Sequence, residues 1–334
     1  MFESDDLASP FPVEPHVIFD RPAADPFYLF WTPDSQAVSF LATEEGELSL
    51  RIAPVDGSAP VDGSGAGSVI RSGNPFYYDW IGPKRLIAHI GVGTDAFLGE
   101  IGLDGEAVGH KLGVPGDFRS VVVSHDQKSI AYVRDGGKGP AAVVVAGRDG
   151  ANEHSMDVFG STAILFDPAG GTVAALGPIE PQDTPGFPFG PVRLMDAKSG
   201  KVHTLIEGLV AIFWWSPEGK TIAALRVQPS IATGGGSSPA PSPATASNEV
   251  RLLFVDVASG KVSSQPVVQL GAPFVNGYVA FFDQYALSHR VWAPDGSSML
   301  LPETDDNGVT NVKIRYADGR DPIQLDGEIA FWSP

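Results

Sequence analysis

Apolar residues in this chain come in short runs of strand length, each bounded by turn-forming residues. "VAIFWW" (210–215) and "TIAAL" (221–225) flank the turn "SPEG", and "VRLLFVDV" (250–257) alternates apolar and polar positions before "ASGK". The same arrangement recurs along the chain: "WTPDSQAVSF" (31–40), "WIGPKRLIAHI" (80–90), "VSHDQKSIAYV" (123–133), "FDPAGGTVAAL" (166–176), "WSPEGKTIAAL" (215–225) and "WAPDGSSMLL" (292–301). A seventh copy starts at "WSP" (332–334). The lead positions are spaced 49, 43, 43, 49, 77 and 40 residues apart. A period of that size is one supersecondary unit per repeat.

Each copy has a physical reading. In "SPDG", Pro fixes φ at the second turn position, Asp or Glu suits the third, and Gly permits the exit. A second set of turns follows each copy: "PVDG" (54–57), "GLDG" (102–105), "GRDG" (147–150), "DAKSGK" (196–201), "DVASGK" (256–261) and "YADGR" (316–320). Asp-Gly and Ser-Gly are hairpin chemistry. Each unit therefore reads strand a, SPDG turn, strand b, loop, strand c, DG turn, strand d. The expected fold class is all-β, a β-propeller of four-stranded antiparallel blades. The lead aromatics Trp31, Trp80, Phe166, Trp215, Trp292 and Trp332 are expected to wedge between neighbouring sheets.

The repeat resembles the TolB-like, or WD-like, propeller repeat, W-S-P-D-G-K-x-I-A-F, most closely at 215–225. The likeness covers about residues 16–334, a single propeller domain after an N-terminal tail at 1–15. The repeat is specific for the fold and silent on function, since unrelated propellers carry it. Six full units and the partial seventh leave two closures open. In the first, "HVIFD" (16–20) and "EIAFWSP" (328–334) meet from opposite termini as a minimal seventh blade. This seven-bladed closure is the expected one; the alternative is a six-bladed ring with "HVIFD" as the outer strand of the last blade and the C-terminal segment as an extra.

Composition narrows the functional classes. The formal net charge is −18, with 22 Lys and Arg against 40 Asp and Glu, which argues against nucleic acid and anionic membrane surfaces. Charged residues are only 19%, with 39 Gly and 29 Pro, so turns are abundant and long charged helices are not expected. There is no cysteine, which excludes disulfides and thiolate metal sites. No apolar run has the length of a membrane span. "MFESDDLASPFP" lacks the parts of a signal peptide. The resemblance implies an extracytoplasmic setting, periplasm or cell surface, with the export segment absent from this chain; a cytoplasmic setting is the alternative.

Strand direction sorts the loops into two faces. The a–b and c–d turns lie on one face and are short. The b–c and d–a loops lie on the other and carry nearly all the irregular sequence. They include 134–142, 177–191, the Gly/Ser/Pro-rich insertion 228–248, expected to be flexible, and "GAPFVNGYVAFFDQYALSHR" (271–290). Function concentrates in long loops on a rigid scaffold. Aromatics also gather there: Tyr28, Tyr77, Tyr78, Phe118 and Tyr278.

Within 281–290, Asp283, Tyr285, His289 and Arg290 interrupt the repeat. They read as a hydrogen-bonded plug at the channel mouth or as a recognition site. Asp283, Ser288 and His289 are also triad residue types, though only geometry makes a triad. No G-x-S-x-G, H-E-x-x-H, P-loop or dinucleotide fingerprint occurs. "ETDDNG" (303–308) offers Asp305, Asp306 and Asn307 as a weak calcium-loop match.

The expectation is a non-enzymatic propeller, without cofactor, that binds a protein or peptide partner through its loop-rich face. By resemblance, its setting is an envelope or transport complex. Two alternatives stand beside it: a small-ligand or hydrolytic site at the mouth around Asp283, Tyr285 and His289, and a structural subunit of a larger assembly.

Overall fold

The computed structural model describes residues 18, 19, 24, 26–55, 67–109, 112, 121–134, 136, 139–181, 189–227 and 249–332. The insertion 228–248 and Phe118 lie outside them. Among the described residues, strands fold into consecutive antiparallel sheets that follow the sequence repeat.

The first sheet holds β1 (Pro26–Trp31), β2 (Ala37–Glu44), β3 (Glu47–Pro54) and β4 (Ser68–Ser72). The second holds β5 (Phe76–Gly82), β6 (Arg85–Ile90), β7 (Phe97–Gly102) and β8 (Ala107–Val108). The third holds β9 (Val122–Val123), β10 (Ser129–Arg134), β11 (Ala141–Gly147) and β12 (His154–Val158). All three have the strand order of the chain.

The next sheet joins two units through one long strand. It contains β13 (Ala163–Phe166), β14 (Thr172–Leu176), β15 (Gly190–Asp196), β16 (Val202–Trp215), β17 (Thr221–Val227), β18 (Glu249–Asp256) and β19 (Val262–Gln269). The first half of β16 pairs with β15, as an outer strand, at Val202, His203, Thr204 and Ile206. Its second half pairs with β17, as an inner strand, from Ile212 to Trp215. Gly208, at φ +89°, lets the strand turn between the two roles.

The last sheet has three strands, β20 (Ser298–Thr304), β21 (Thr310–Tyr316) and β22 (Ile323–Leu325). The sixth inner strand expected near 292 is reduced to a bridge between Trp292 and Met299. The cause lies just upstream, where the chain leaves a helix at Ser288 and has few residues in which to extend before the turn.

Alternate side chains of each strand pack on the neighbouring sheet, so the core is a series of inter-sheet seams. Leu41, Leu50, Tyr78 and Leu86 fill the first seam. Ile87, Leu98, Ile130 and Val144 fill the second, and Val143, Ile164 and Val173 the third. Three of the six lead aromatics, Trp80, Trp215 and Trp292, cross these seams as expected, whereas Trp31 packs on its own sheet beside Val38 and Phe40. Trp80 Nε1 donates to Ser39 Oγ at 3.0 Å, Trp215 Nε1 to the Leu165 carbonyl at 3.4 Å, and Trp292 lies edge-on to Phe254 with ring centroids 5.6 Å apart.

The described residues nearest the two termini reach different walls. Ile18 and Phe19 pack on the first sheet beside Val38 and Phe40. Trp332 forms a bridge with Arg290. Among the described residues the two ends do not pair with each other.

Candidate functional site

The connection from β19 to the last sheet is helical, which corrects its reading as an irregular loop. It contains α1 (Ala272–Gly277), a 3-10 turn at Val279–Phe281 and α2 (Phe282–Ser288). Pro273 sits in the first turn of α1, where its missing N–H costs nothing. Phe274, Tyr278 and Phe282, four residues apart, are all buried. That spacing gives one apolar stripe. Helix also supplies backbone hydrogen bonds to a segment that has left the sheets.

The stripe docks on β16. Trp214 Nε1 donates to Tyr278 Oη at 2.9 Å, and Phe282 lies edge-on to Phe213 at 5.6 Å. α2 also packs against β1 and β13. Leu287 touches three separate core clusters, which belong to the first two sheets, the third and fourth units, and the last three units. A residue can do this only near the common axis of the sheets. α2 is therefore a stopper in the central channel.

The sequence-selected residues divide by their surroundings. Tyr77 Oη donates to Asp283 Oδ2 at 2.9 Å. Tyr28 has φ +51°, rare for a bulky residue, at a bulge in β1. Its ring meets Tyr285 edge-on at 5.0 Å and stacks on Tyr77 at 6.5 Å. Burial, then the Asp283 charge, raises the Tyr28 hydroxyl above its ordinary pKa. Burial also raises Tyr285, against a backbone hydrogen bond at Tyr28 that lowers it. His289 lies edge-on between Tyr285 at 4.8 Å and Phe331 at 4.5 Å. Burial pushes its pKa down to about 4.

The triad residue types do not form a relay. Ser288 Oγ is 2.6 Å from His289 Nδ1, but Asp283 is engaged by Tyr77. Tyr78 and Tyr278 are interior side chains. Tyr78 Oη donates to the Tyr28 carbonyl at 3.0 Å, and Tyr278 holds Trp214. Arg290 is exposed, and its carbonyl accepts the Trp332 N–H at 2.8 Å.

In the acidic loop, Asp305 Oδ1 accepts the Asn307 and Val309 N–H groups, both at 2.9 Å. That is a turn closed on itself. Asp306 and Asn307 are exposed. Among the described residues no group of three or more His, Cys, Asp or Glu could hold a metal ion.

The loop-rich face carries a signal that sequence reasoning missed. Leu29, Val92, Ile179, Leu209, Phe281 and Val309 are six of the fourteen exposed large apolar residues among the described residues; the other eight are spread over outer strands, the turn at Leu103 and Ile329. Each of the six lies in or beside a b–c or d–a connection. In sequence they are single apolar letters among polar ones and form no run.

At the other end of the channel is a cavity of about 620 Å³. Its walls include Phe166, Pro168, Trp215, Pro217 and Trp292, near the ends of inner strands and their a–b turns. Its floor is the last turn of α2, with Ala286, Leu287 and His289. Asp79 borders it and is only partly open to it. Asp79 accepts the Trp80 N–H at 2.8 Å and the Val123 N–H at 2.9 Å. Burial pushes its carboxyl up to about 6 despite these bonds.

Comparison with solved structures agrees with this architecture. A manganese complex of oligogalacturonate lyase superposes with TM-score 0.56 at 11% identity, covering 90% of this chain and 77% of that one. A post-proline cleaving enzyme from Rickettsia typhi gives 0.53 at 9% identity, covering 92% of this chain and 45% of that one. The fold is a β-propeller, as the TolB-like repeat implies. TolB from Acinetobacter baumannii matches with TM-score 0.46 at 15% identity, over 74% of this chain. This propeller spans 55% of that TolB chain, about half its length. No family model and no curated protein sequence matches the chain. Among the described residues no helix is long and apolar enough to cross a membrane.

Proposed function

We propose that this propeller is a binding protein that recognises a partner protein or peptide on its loop-rich face. The observation that carries the reading is the distribution of Leu29, Val92, Ile179, Leu209, Phe281 and Val309 around the stoppered end of the channel. A contiguous exposed apolar patch marks an interaction surface, and the b–c and d–a connections that carry these six side chains all open on one face. Phe281 adds a rigid aromatic, the kind of side chain that anchors interfaces. Tyr28 and Tyr285 flank it edge-on, with ring centroids 6.5 and 6.4 Å away.

The role is binding rather than catalysis. Asp283 serves as a structural acceptor, and among the described residues no third group orients the Ser288–His289 pair. The ring is read as six blades in one domain. The bridge from Trp332 to Arg290 supports this, because it returns the C-terminal residues to the sixth unit. An extracytoplasmic setting beside an envelope or transport complex rests on the TolB-like repeat alone.

A pull-down from the native host tests the reading. The double variant Leu209→Asp plus Phe281→Asp is compared with Leu103→Asp, an exposed apolar residue on the short-turn face. The reading requires partners retained by wild type and Leu103→Asp to be lost from the double variant. Partners that stay with the double variant contradict it.

A further inference from the structure

The cavity at the short-turn end lies on the opposite face from the surface assigned to a partner, and none of the side chains assigned there lines it. Its volume of about 620 Å³ falls within the range of small-molecule sites. One end is closed by α2 and the other opens through the a–b turns, so it is a cup rather than a through-channel.

The lining combines two kinds of surface. Phe166, Trp215 and Trp292 give flat apolar walls, and Pro168 and Pro217 stiffen the rim. The polar lining residues are Asp79, His125, Asp167, Ser216, His289 and Arg290. The Asp79 carboxylate is occupied by two backbone N–H groups. Asp167 Oδ1 accepts the Thr172 N–H at 2.8 Å. His289 Nδ1 is paired with Ser288 at 2.6 Å.

Among these groups Arg290 is the one that carries a fixed positive charge. It lines the same cavity and is exposed, and its guanidinium has no hydrogen bond or ion pair with any described residue. Its backbone is held by the bridge to Trp332, so the base of the side chain is fixed. On a chain of net charge −18, carboxylates are plentiful, yet among the described residues none pairs with this guanidinium. A planar fork of N–H donors beside aromatic walls fits a carboxylate attached to an apolar body.

We propose that this cavity binds an apolar carboxylate, with Arg290 as the anion anchor and the Trp215–Trp292 walls taking the hydrophobic part. Two sources share that chemistry, a free organic acid and the C-terminus of a peptide.

The wall tryptophans make intrinsic fluorescence a direct reporter. The full chain is titrated with 4-phenylbutyrate and, separately, with 4-phenylbutanol. A second pair is the peptide Gly-Gly-Leu-Phe as free acid and as C-terminal amide. The same titrations are run on Arg290→Gln and Arg290→Lys, with unchanged thermal unfolding as the control for fold. The acid of at least one pair should bind wild type about tenfold or more tightly than its neutral partner. Arg290→Gln should abolish the preference, and Arg290→Lys should keep part of it.

A preference confined to the first pair identifies a free acid, and one confined to the peptide pair identifies a chain terminus. Equal binding of acid and neutral probes to wild type overturns the carboxylate assignment. A preference that survives in Arg290→Gln overturns the anchor. Absence of binding by all four probes overturns the cavity as a ligand site. None of these outcomes bears on the loop-rich face, whose pull-down uses other residues.

Discussion

Tyr77 and Asp283 are 206 residues apart in sequence and share a hydrogen bond of 2.9 Å. Tyr77 stands on the inner strand of the second unit, and Asp283 on the helix that stoppers the channel. The bond ties the stopper to a blade it does not follow in the chain. A double-mutant cycle with Tyr77→Phe and Asp283→Asn should show a coupling of about 1–2 kcal/mol in urea unfolding. Additive effects would mean that the bond does not hold the stopper.

Leu287 is the residue that meets three clusters at once. Leu287→Ala should cost about 2–3 kcal/mol, near the lower end for core truncation because the site is only partly buried. Chemical denaturation with an unchanged m-value would show that the loss is of packing. A cost under about 0.5 kcal/mol, as for a surface position, would place Leu287 off the axis.

Glu303 is buried and accepts a bidentate pair from Arg315, with both N–O distances 2.7 Å, while Lys313 approaches to 3.2 Å. Glu303→Ala leaves a buried guanidinium without its partner. The expected loss is about 3–5 kcal/mol, measurable as a fall in the denaturation midpoint. Glu303→Ala together with Arg315→Met should recover much of it.

Asp79 and His289 should shape the pH dependence of stability in opposite senses. The Asp79 carboxyl is raised from 3.8 to about 6, so its contribution is present at low pH and lost as pH rises through about 6. His289 is lowered from 6.5 to about 4, so its contribution is present above 6.5 and lost as pH falls through about 4. Relative to Asp79→Asn, wild type should lose stability on going up in pH across that window. Relative to His289→Gln, it should lose stability on going down. Thermal melts across the window check both signs.

The repeat was legible because its information is local. A Pro-Asp-Gly turn and the alternating strand after it are written within about ten residues, and the structure has them where the sequence places them. Trp80, Trp215 and Trp292 were legible as wedges for the same reason. The stopper was harder to see. Phe274, Tyr278 and Phe282 keep a helical spacing, but Gly277 and the surrounding strand repeats hide it. The cavity was not legible at all, since its walls come from inner strands tens of residues apart. The sequence groups Arg290 with a cluster at the mouth, yet Arg290 lines the cavity at the opposite end from Asp283 and Tyr77. A helix between them sends neighbouring side chains to different ends of the channel, which a loop reading has no means to anticipate.

Hydrogen exchange across residues 272–288 tests the central claim, that this segment is a packed stopper and not a surface loop. The Tyr278 and His289 amides bond to the Phe274 and Tyr285 carbonyls at 2.9 and 2.8 Å inside the channel. The account predicts that they exchange as slowly as the interior strand β17, by opening of the whole ring. Exchange as fast as the exposed turn at 305–308 would contradict it.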